Sequence, residues 1–509
     1  MKSPDRKLDI LLFGSLFLTF SYFYQGAFAN QNSRFDLSLA MAFNSKTSID
    51  DFHQNTIDKS IYNGKYYSDK APGASILSLP LVYAASVFID LEDIKNDVEI
   101  GNFTLYLGTI FSVSLLSAIS SIFFRRTLRV LEPKLSLGQS LLITIATYLG
   151  TLMLTYSTVI FGHQIAASWL IIGYYFLLKP DCQKRAFWNI QHWLGCMFLA
   201  LAIITEYPAL LMVIGIWLSA WLHKRRPLTF IVGIGGMLPP LLVLATYNAM
   251  TFGSIFSIGY SHLEHPLFKQ GMEQGFFGLG LPKIPVLSEI LFGSYRGLFY
   301  FCPILLVGLL GFTRVRSREQ NRIWTPLLLG IGGMILLNGS YRFWEGGTCF
   351  GPRHLVPLIP FLALGVVLLP KRLIFSPVCL LVTIWSIAIN FLPLMVTPFL
   401  AESVTTPLAI YRDLISKGSL SINPIDFATP HFEISQRWQQ LENFPISSFN
   451  LGELAGLQGL SSLFPLIICQ LIVTAFLYSI CARSAKRTTQ NQTLPKTCGL
   501  GSSTSSTYN

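Results

Sequence analysis

Apolar runs, each close to the length a helix needs to cross a bilayer, recur from residue 9 to residue 482 with short polar segments between them. A hydrocarbon layer ~30 Å thick takes about 20 residues of helix, because each residue advances the axis by about 1.5 Å. The pattern predicts twelve spans, at 9–29, 102–124, 137–158, 164–179, 191–206, 208–222, 228–249, 297–313, 323–339, 354–370, 374–394 and 461–482. The runs are continuous rather than alternating, which excludes a transmembrane β-barrel. The predicted fold is all-α and polytopic, with one transmembrane domain over 1–482. Residues 483–509 form a polar cytoplasmic tail rich in Ser and Thr, a composition that predicts disorder.

Composition agrees with that class and adds an orientation. Hydrophobic residues make up 51% of the 509 positions and charged residues only 12%, about half the share of an ordinary soluble chain. A net charge of +11 invites a nucleic-acid reading, but the placement of the charges removes it. Seven clusters between apolar runs hold 23 of the 37 Lys and Arg with only five acids, a net of +18. They are Lys2/Arg6/Lys7, Arg125/Arg126/Arg129/Lys134, Lys179/Lys184/Arg185, Lys224/Arg225/Arg226, Arg314/Arg316/Arg318/Arg322, Lys371/Arg372 and Arg483/Lys486/Arg487/Lys496. The remaining segments carry 14 bases and 21 acids, a net of −7. This is the positive-inside pattern, and no nucleic-acid partner is expected.

All seven clusters fall on one side only if residues 71–89, APGASILSLPLVYAASVFI, do not cross the membrane. Pro72, Gly73 and Pro80 also argue against a straight spanning helix there. The segment is therefore expected to lie along or dip into the outer leaflet, with both termini cytoplasmic. A basic start, an apolar stretch and Ala27-Phe28-Ala29 resemble a signal peptide, but the stretch is long and aromatic, so an uncleaved span is preferred. Cys349 alone among eight cysteines lies clearly on the acidic face, and no CxxC spacing suggests a metal site.

The cytoplasmic loops are short, so chemistry is expected in the outer loops 30–101, 250–296 and 395–460 and in the hairpin 340–353. The first begins with RFD, placing Asp36 soon after the first span, where helix capping is its plainest role. A charged run follows with Asp50, Asp51, His53, Asp58, Lys65, Tyr66, Tyr67, Asp69 and Lys70. Most such residues are merely solvated. Lys70 differs, because it immediately precedes the apolar 71–89 segment and would hold an ammonium at headgroup level, where a lipid phosphate lies.

The hairpin carries Tyr341-Arg342-Phe343-Trp344-Glu345-Gly346-Gly347 and then Gly351-Pro352-Arg353-His354 at the start of a span. Arg353 would add a bidentate guanidinium to a helix N-terminus that already favours anions. The glycines argue for a shaped turn rather than a simple interfacial anchor. Ser294-Tyr295-Arg296-Gly297 precedes another span, while His163 and Glu206 lie at the outer ends of short ones. Glu206, beside Pro208, is expected to be solvated or to cap a helix. His163 is balanced between a headgroup contact and an interfacial position.

These stretches resemble bacterial GT-C glycosyltransferases, relatives of protein O-mannosyltransferases and lipid A aminoarabinose transferases (glycosyltransferase family 39-like). The likeness rests on RFD…IDDFHQNTIDK…GKYYSDKAPG, Tyr247-Asn248…Phe252-Gly253-Ser254…Gly259-Tyr260, Ser294-Tyr295-Arg296-Gly297-Leu298-Phe299 and Phe350-Gly351-Pro352-Arg353, in that order within about residues 5–395. The resemblance implies juxtamembrane helices in the first outer loop, a polyprenyl-phosphate-linked sugar as donor, and a lipid, glycan or protein acceptor reached from the outer face of a bacterial inner membrane. It matches Asp36 by position to an acidic residue at the catalytic site and Lys70 to the lysine of the Lys-x-Pro-Gly stretch. RFD stands alone where some branches carry Asp-Glu or Glu-x-Asp, so no cofactor is expected and a divalent metal has no support.

Sugar transfer from a lipid phosphate needs fixed cations on the leaving phosphate, for which Lys70, Arg353 and Arg296 are candidates. It also needs a carboxylate to accept the acceptor's proton: Asp36 first, with Asp50 and Asp58 in reserve. Tyr67, His163, Trp344 and Glu345 are the further candidates for lining the substrate site, beside membrane lipids. The competing class is a transporter or lipid flippase. Such proteins typically carry ionisable residues at mid-membrane and internal repeats, whereas here charges sit at span edges and no repeat is evident.

Overall fold

Leu8, Leu12, Leu16 and Phe20 recur every fourth residue and all are buried, so the first helix, α1 (Ser3–Ser21), turns one stripe onto its neighbours. The helix begins and ends earlier than the predicted 9–29 span. Its charged first turns are tolerated because Asp9 pairs with Arg125 at 2.5 Å and Arg126 at 2.8 Å, while Asp5 pairs with Arg129 at 2.5 Å. Beyond Ser21 the chain turns extended, and Phe23–Tyr24 pairs antiparallel with Phe449–Asn450.

The computed structural model describes residues 3–180, 190–225, 227–422 and 448–493. The helices dominate, and every predicted span has a helical counterpart, but among the described residues only five helices are long and apolar enough to cross a membrane. These are Glu99–Leu131, Phe230–Phe252, Arg318–Ser340, Pro377–Met395 and Gly459–Ala485. Several predicted spans are shorter or broken where the sequence supplies the reason. The predicted 354–370 span divides into a 3-10 turn Arg353–Leu358, an α-helix Ile359–Leu364 and a second 3-10 turn Gly365–Leu368. Pro357 and Pro360 remove N–H donors there and clash with the preceding turn. Pro303 falls between Leu298–Phe301 and Leu305–Phe312, and Gly150-Thr151 between Leu137–Leu149 and Leu152–Tyr156. The last helix, Phe464–Thr493, continues past residue 482. The rest of the expected tail, residues 423–447 of the expected third outer loop, Lys2, Cys182, Lys184, Arg185, Arg226, Lys496 and Cys498 lie outside the described residues.

Two contacts decide how the chain between α1 and the Glu99–Leu131 helix is threaded. Tyr106 donates its hydroxyl to the Ser21 carbonyl at 2.5 Å, while Arg125 and Arg129, farther along the same helix, reach the start of α1. The two helices therefore lie antiparallel, and the chain between residues 21 and 106 leaves and re-enters at one end of the bundle. Within that stretch α2 (Ala29–Asn44) packs on α3 (Gly73–Ala85) through a ladder of hydroxyls. Ser38 meets Ser78 at 2.7 Å, and Ser75 donates to the Arg34 carbonyl at 2.7 Å.

The two faces of α3 explain why its sequence reads like a span. Gly73, Ala74, Ser75, Ser78 and Val82 are buried against protein. Pro80, Tyr83 and Ala84, with Val87 and Phe88 in the following turn, form an exposed apolar stripe at helical spacing. The same end of the molecule gathers the other long loops. Gln25 donates to the Leu394 carbonyl at 3.0 Å, and the Tyr22 hydroxyl to the Ser462 carbonyl at 2.5 Å. The opposite end holds the Asp5/Asp9–Arg125 network and the Lys371–Glu132 pair.

Candidate functional site

Helix α2 is unusual because it is buried nearly all round and many of its buried residues are polar: Asn30, Gln31, Asn32, Ser33, Arg34, Asp36 and Ser38. Buried polar groups persist only where partners satisfy them, and here the partners come from distant parts of the chain. Asn30 and Arg34 are one turn apart and share a face. Arg34 donates Nε to Asn30 Oδ1 at 3.1 Å and Nη2 to Glu206 Oε1 at 2.8 Å. Asn30 in turn donates Nδ2 to Asp58 Oδ2 at 3.2 Å.

Asp58 leads to the centre of the cluster. Lys70 Nζ lies 3.0 Å from Asp58 Oδ2 and 3.0 Å from Asp69 Oδ2, so one ammonium bridges two carboxylates. Lys70 and Asp69 are held there by the hairpin Lys59–Tyr62/Lys65–Ser68. Asn63 and Gly64 at its tip have φ of 49° and 74°, the pair of positive values a two-residue type I′ turn requires. The loop at Gly259-Tyr260 docks on this hairpin: Ser60 donates to the Gly259 carbonyl at 2.7 Å, and Lys70 Nζ lies 5.9 Å from the Tyr260 ring centre.

The two carboxylates titrate apart. Burial alone would raise Asp58, but the Lys70 charge and hydrogen bond, with Arg353 and Asn30, outweigh it and hold this carboxyl below its usual range. For Asp69 burial wins: despite Lys70, and with Asp58 adding repulsion, its carboxyl is pushed up to about 6. Its second oxygen, Oδ1, is buried with no hydrogen-bond partner.

The third wall of the cluster comes from helix ends. His163 opens helix Gly162–Leu178, and its Nδ1 lies 3.6 Å from Glu206 Oε2. His354 stands edge-on to His163 at 5.3 Å between ring centres, and its Nδ1 is 2.8 Å from Asn338 Oδ1. Arg353 stacks its guanidinium 4.7 Å from the Phe161 ring centre, and its Nε is buried without a hydrogen-bond partner. The loop carrying it turns through Gly346 and Gly347, at φ of 79° and 69°. A Cβ on Gly346 would stand 3.1 Å from the Arg353 side chain, so glycine serves both backbone and packing.

Of the sequence candidates, Lys70, Arg353, Asp58 and His163 meet in this cluster. Asp36 lies on the same helix, but its Oδ1 accepts from Asn55 Nδ2 at 3.0 Å. Burial raises its carboxyl well above the usual range, only partly offset by Asn55 and by Lys59. Asp50 is exposed and caps the hairpin, accepting the Tyr66 amide at 2.7 Å. Arg296 is spent elsewhere: fully buried, it donates to the carbonyls of Cys349 and Gly347, the latter at 2.9 Å, and stacks on Tyr295. This guanidinium braces the 341–353 loop. Trp344 packs edge-on against Tyr295 at 6.2 Å, with Glu345 partly buried beside it. Tyr67 packs with Leu37, Ile49, Tyr247 and Phe252.

Sequence reasoning left Asn30, Arg34, Asp69, Glu206, Tyr260 and His354 without a site role. Glu206 carried the clearest available signal, because an acid in a two-residue break between apolar runs must be either well solvated or paired. It is only 7% exposed and is paired. Among the described residues no group of three or more His, Cys, Asp or Glu is arranged to hold a metal ion.

No known family profile matches the sequence, and no curated protein matches it. Among solved structures the chain is similar to ArnT from Cupriavidus metallidurans bound to undecaprenyl phosphate, at 14% identity and a TM-score of 0.42, over 81% of this chain and 68% of that one. It is likewise similar to ArnT from the same organism in the apo state, at 15% identity and a TM-score of 0.42, over 80% and 67%.

Proposed function

We propose that this protein is an integral-membrane glycosyltransferase of GT-C type, moving a sugar from a polyprenyl-phosphate donor to a hydroxyl of a lipid, glycan or protein acceptor at the outer face. One observation carries the reading. Lys70, set between Asp58 and Asp69, stands three residues before α3, whose free face is an apolar stripe. A lipid phosphate is an anion tethered to an apolar chain, and this pairing of a buried cation with an apolar ramp suits both parts. Arg353, with its unpartnered Nε, supplies a second phosphate contact from the opposite wall. Such preorganised cations stabilise a phosphate most as it leaves, when its charge grows.

The remaining parts suit the acceptor side. Three cations, Arg34, Lys70 and Arg353, stand with three acids, Asp58, Asp69 and Glu206, so the cluster can take an anion and still offer a carboxylate to a hydroxyl. Binding of undecaprenyl phosphate by the purified protein in nanodiscs tests the donor side. Wild type should bind, and Lys70→Ala and Arg353→Ala should each weaken binding roughly tenfold or more, the worth of a charged hydrogen bond. Equal binding by all three returns both residues to the role of interfacial anchors.

A further inference from the structure

We infer that Asp69, rather than Asp36, is the catalytic base that takes the acceptor's proton, and that Lys70 is handed from Asp69 to the leaving phosphate in the same step. The inference rests on the glycosyl-transfer reading and refines who does what within it. Asp69 is 2% exposed, with Oδ2 on Lys70 Nζ at 3.0 Å and Oδ1 buried without a partner. A buried carboxylate oxygen with no donor is costly, unless an O–H group is to be supplied by something not yet bound. An acceptor hydroxyl is such a group, and Asp69 holds its lone pair beside the ammonium that faces the donor.

Asp36 has a different end. Its Oδ1 accepts from Asn55 Nδ2, while its Oδ2 and Asn55 Oδ1 are both buried without partners. One proton on Asp36 Oδ2, donated to Asn55 Oδ1, would close a carboxylic acid–carboxamide pair and leave neither oxygen orphaned. An Asp36 that already carries this proton braces α2 against the turn that carries Asn55 and is no base for a second one.

The step balances. The acceptor oxygen bonds to the anomeric carbon, and the bond from that carbon to the phosphate oxygen breaks with its electron pair left on the phosphate. The acceptor proton passes to Asp69 Oδ1. Phosphate gains one negative charge as Asp69 loses one, so the buried cluster's total charge is unchanged. Neutral Asp69 no longer holds Lys70, whose ammonium turns to the phosphate while Asp58 keeps its position. The charged and titratable groups around Asp69 are Lys70, Asp58, Arg34, Tyr247, Tyr260 and Tyr341. Of the two carboxylates on Lys70, Asp58 is held ionised to lower pH, whereas Asp69 gains its proton near pH 6. Transfer should therefore fall as pH falls through about 6, with Lys70 still anchored.

The test measures transfer and donor binding together, using the full chain in nanodiscs, lipid-linked sugar extracted from cells lacking it, and undecaprenyl phosphate as the binding probe. Asp69→Asn should lower the transfer rate by about 10²–10⁴, the range of a general base, and abolish the acid limb of the pH profile. Its binding of undecaprenyl phosphate should persist, and Asp69→Glu should restore part of the rate. Transfer at the wild-type rate in Asp69→Asn, or Asp36→Asn inactive while Asp69→Asn is active, overturns the assignment alone. Wild type that binds the probe but transfers no sugar overturns the glycosyl-transfer reading and the base role with it.

Discussion

Charged side chains in this protein are informative because each buried one must answer for its own cost. Arg34 shows this most sharply. It is 2% exposed and spends its donors on Glu206, Asn30 and, at 3.5 Å, the Ala71 carbonyl, so it ties α2 to both the start of α3 and a hairpin between helices more than a hundred residues away. Removing one member of such a pair strands the other. Arg34→Ala should destabilise the protein by about 3–5 kcal/mol, read as a lower unfolding temperature in detergent, while Arg34→Leu with Glu206→Leu should recover most of the loss. An unchanged unfolding temperature for the single variant would show that Glu206 finds water instead. Legibility at this scale was uneven. Lys70 and Arg353 stood out because a lone cation beside an apolar run has few uses. Asp36 and Arg296 stood out equally, yet serve the protein's own carbonyls and amides, since one sequence cannot show which buried donor a carboxylate or guanidinium will meet.

At the scale of elements, hydropathy located the helices but overstated their continuity. Each predicted span found a helix near its position, because twenty apolar residues bury few ways other than as helix. Proline and glycine then set the breaks, at Pro303, Pro357, Pro360 and Gly150-Thr151. The segment over 71–89 is the instructive case. Its composition is that of a span, whereas the charge distribution required it to stay on one side, and the antiparallel contact of α1 with the Glu99–Leu131 helix agrees with the charge. A reporter fused near residue 95 should therefore report the same side as one fused near residue 50, both outer. A cytoplasmic signal at residue 95 with an outer one at residue 50 would make α3 a crossing and reverse the threading. The burial of the polar residues of α2 was not legible, because polar residues in a loop-length stretch look solvated until the partners that bury them are known.

For the whole molecule, charge placement was the most readable property. Of the clusters counted as one basic face, Arg125, Arg126 and Arg129 meet Asp5 and Asp9 at the start of α1 and Lys371 meets Glu132, while the loops that hold the site gather at the other end. The candidate site lies within that second end, built from α2 and the hairpin before α3, a helix hairpin at Glu206, the loop at Tyr260 and the turn at Arg353. No stretch of sequence contains it, since its parts are separated by most of the chain. The central claim is that this assembly consumes a sugar carried on a lipid phosphate. Mass analysis of the lipid fraction from cells lacking the chain tests it most directly. A polyprenyl-phosphate-linked sugar should accumulate, and should return to its normal level with the wild-type chain but not with Lys70→Ala. A lipid-linked sugar pool that is the same with and without the protein would contradict the account.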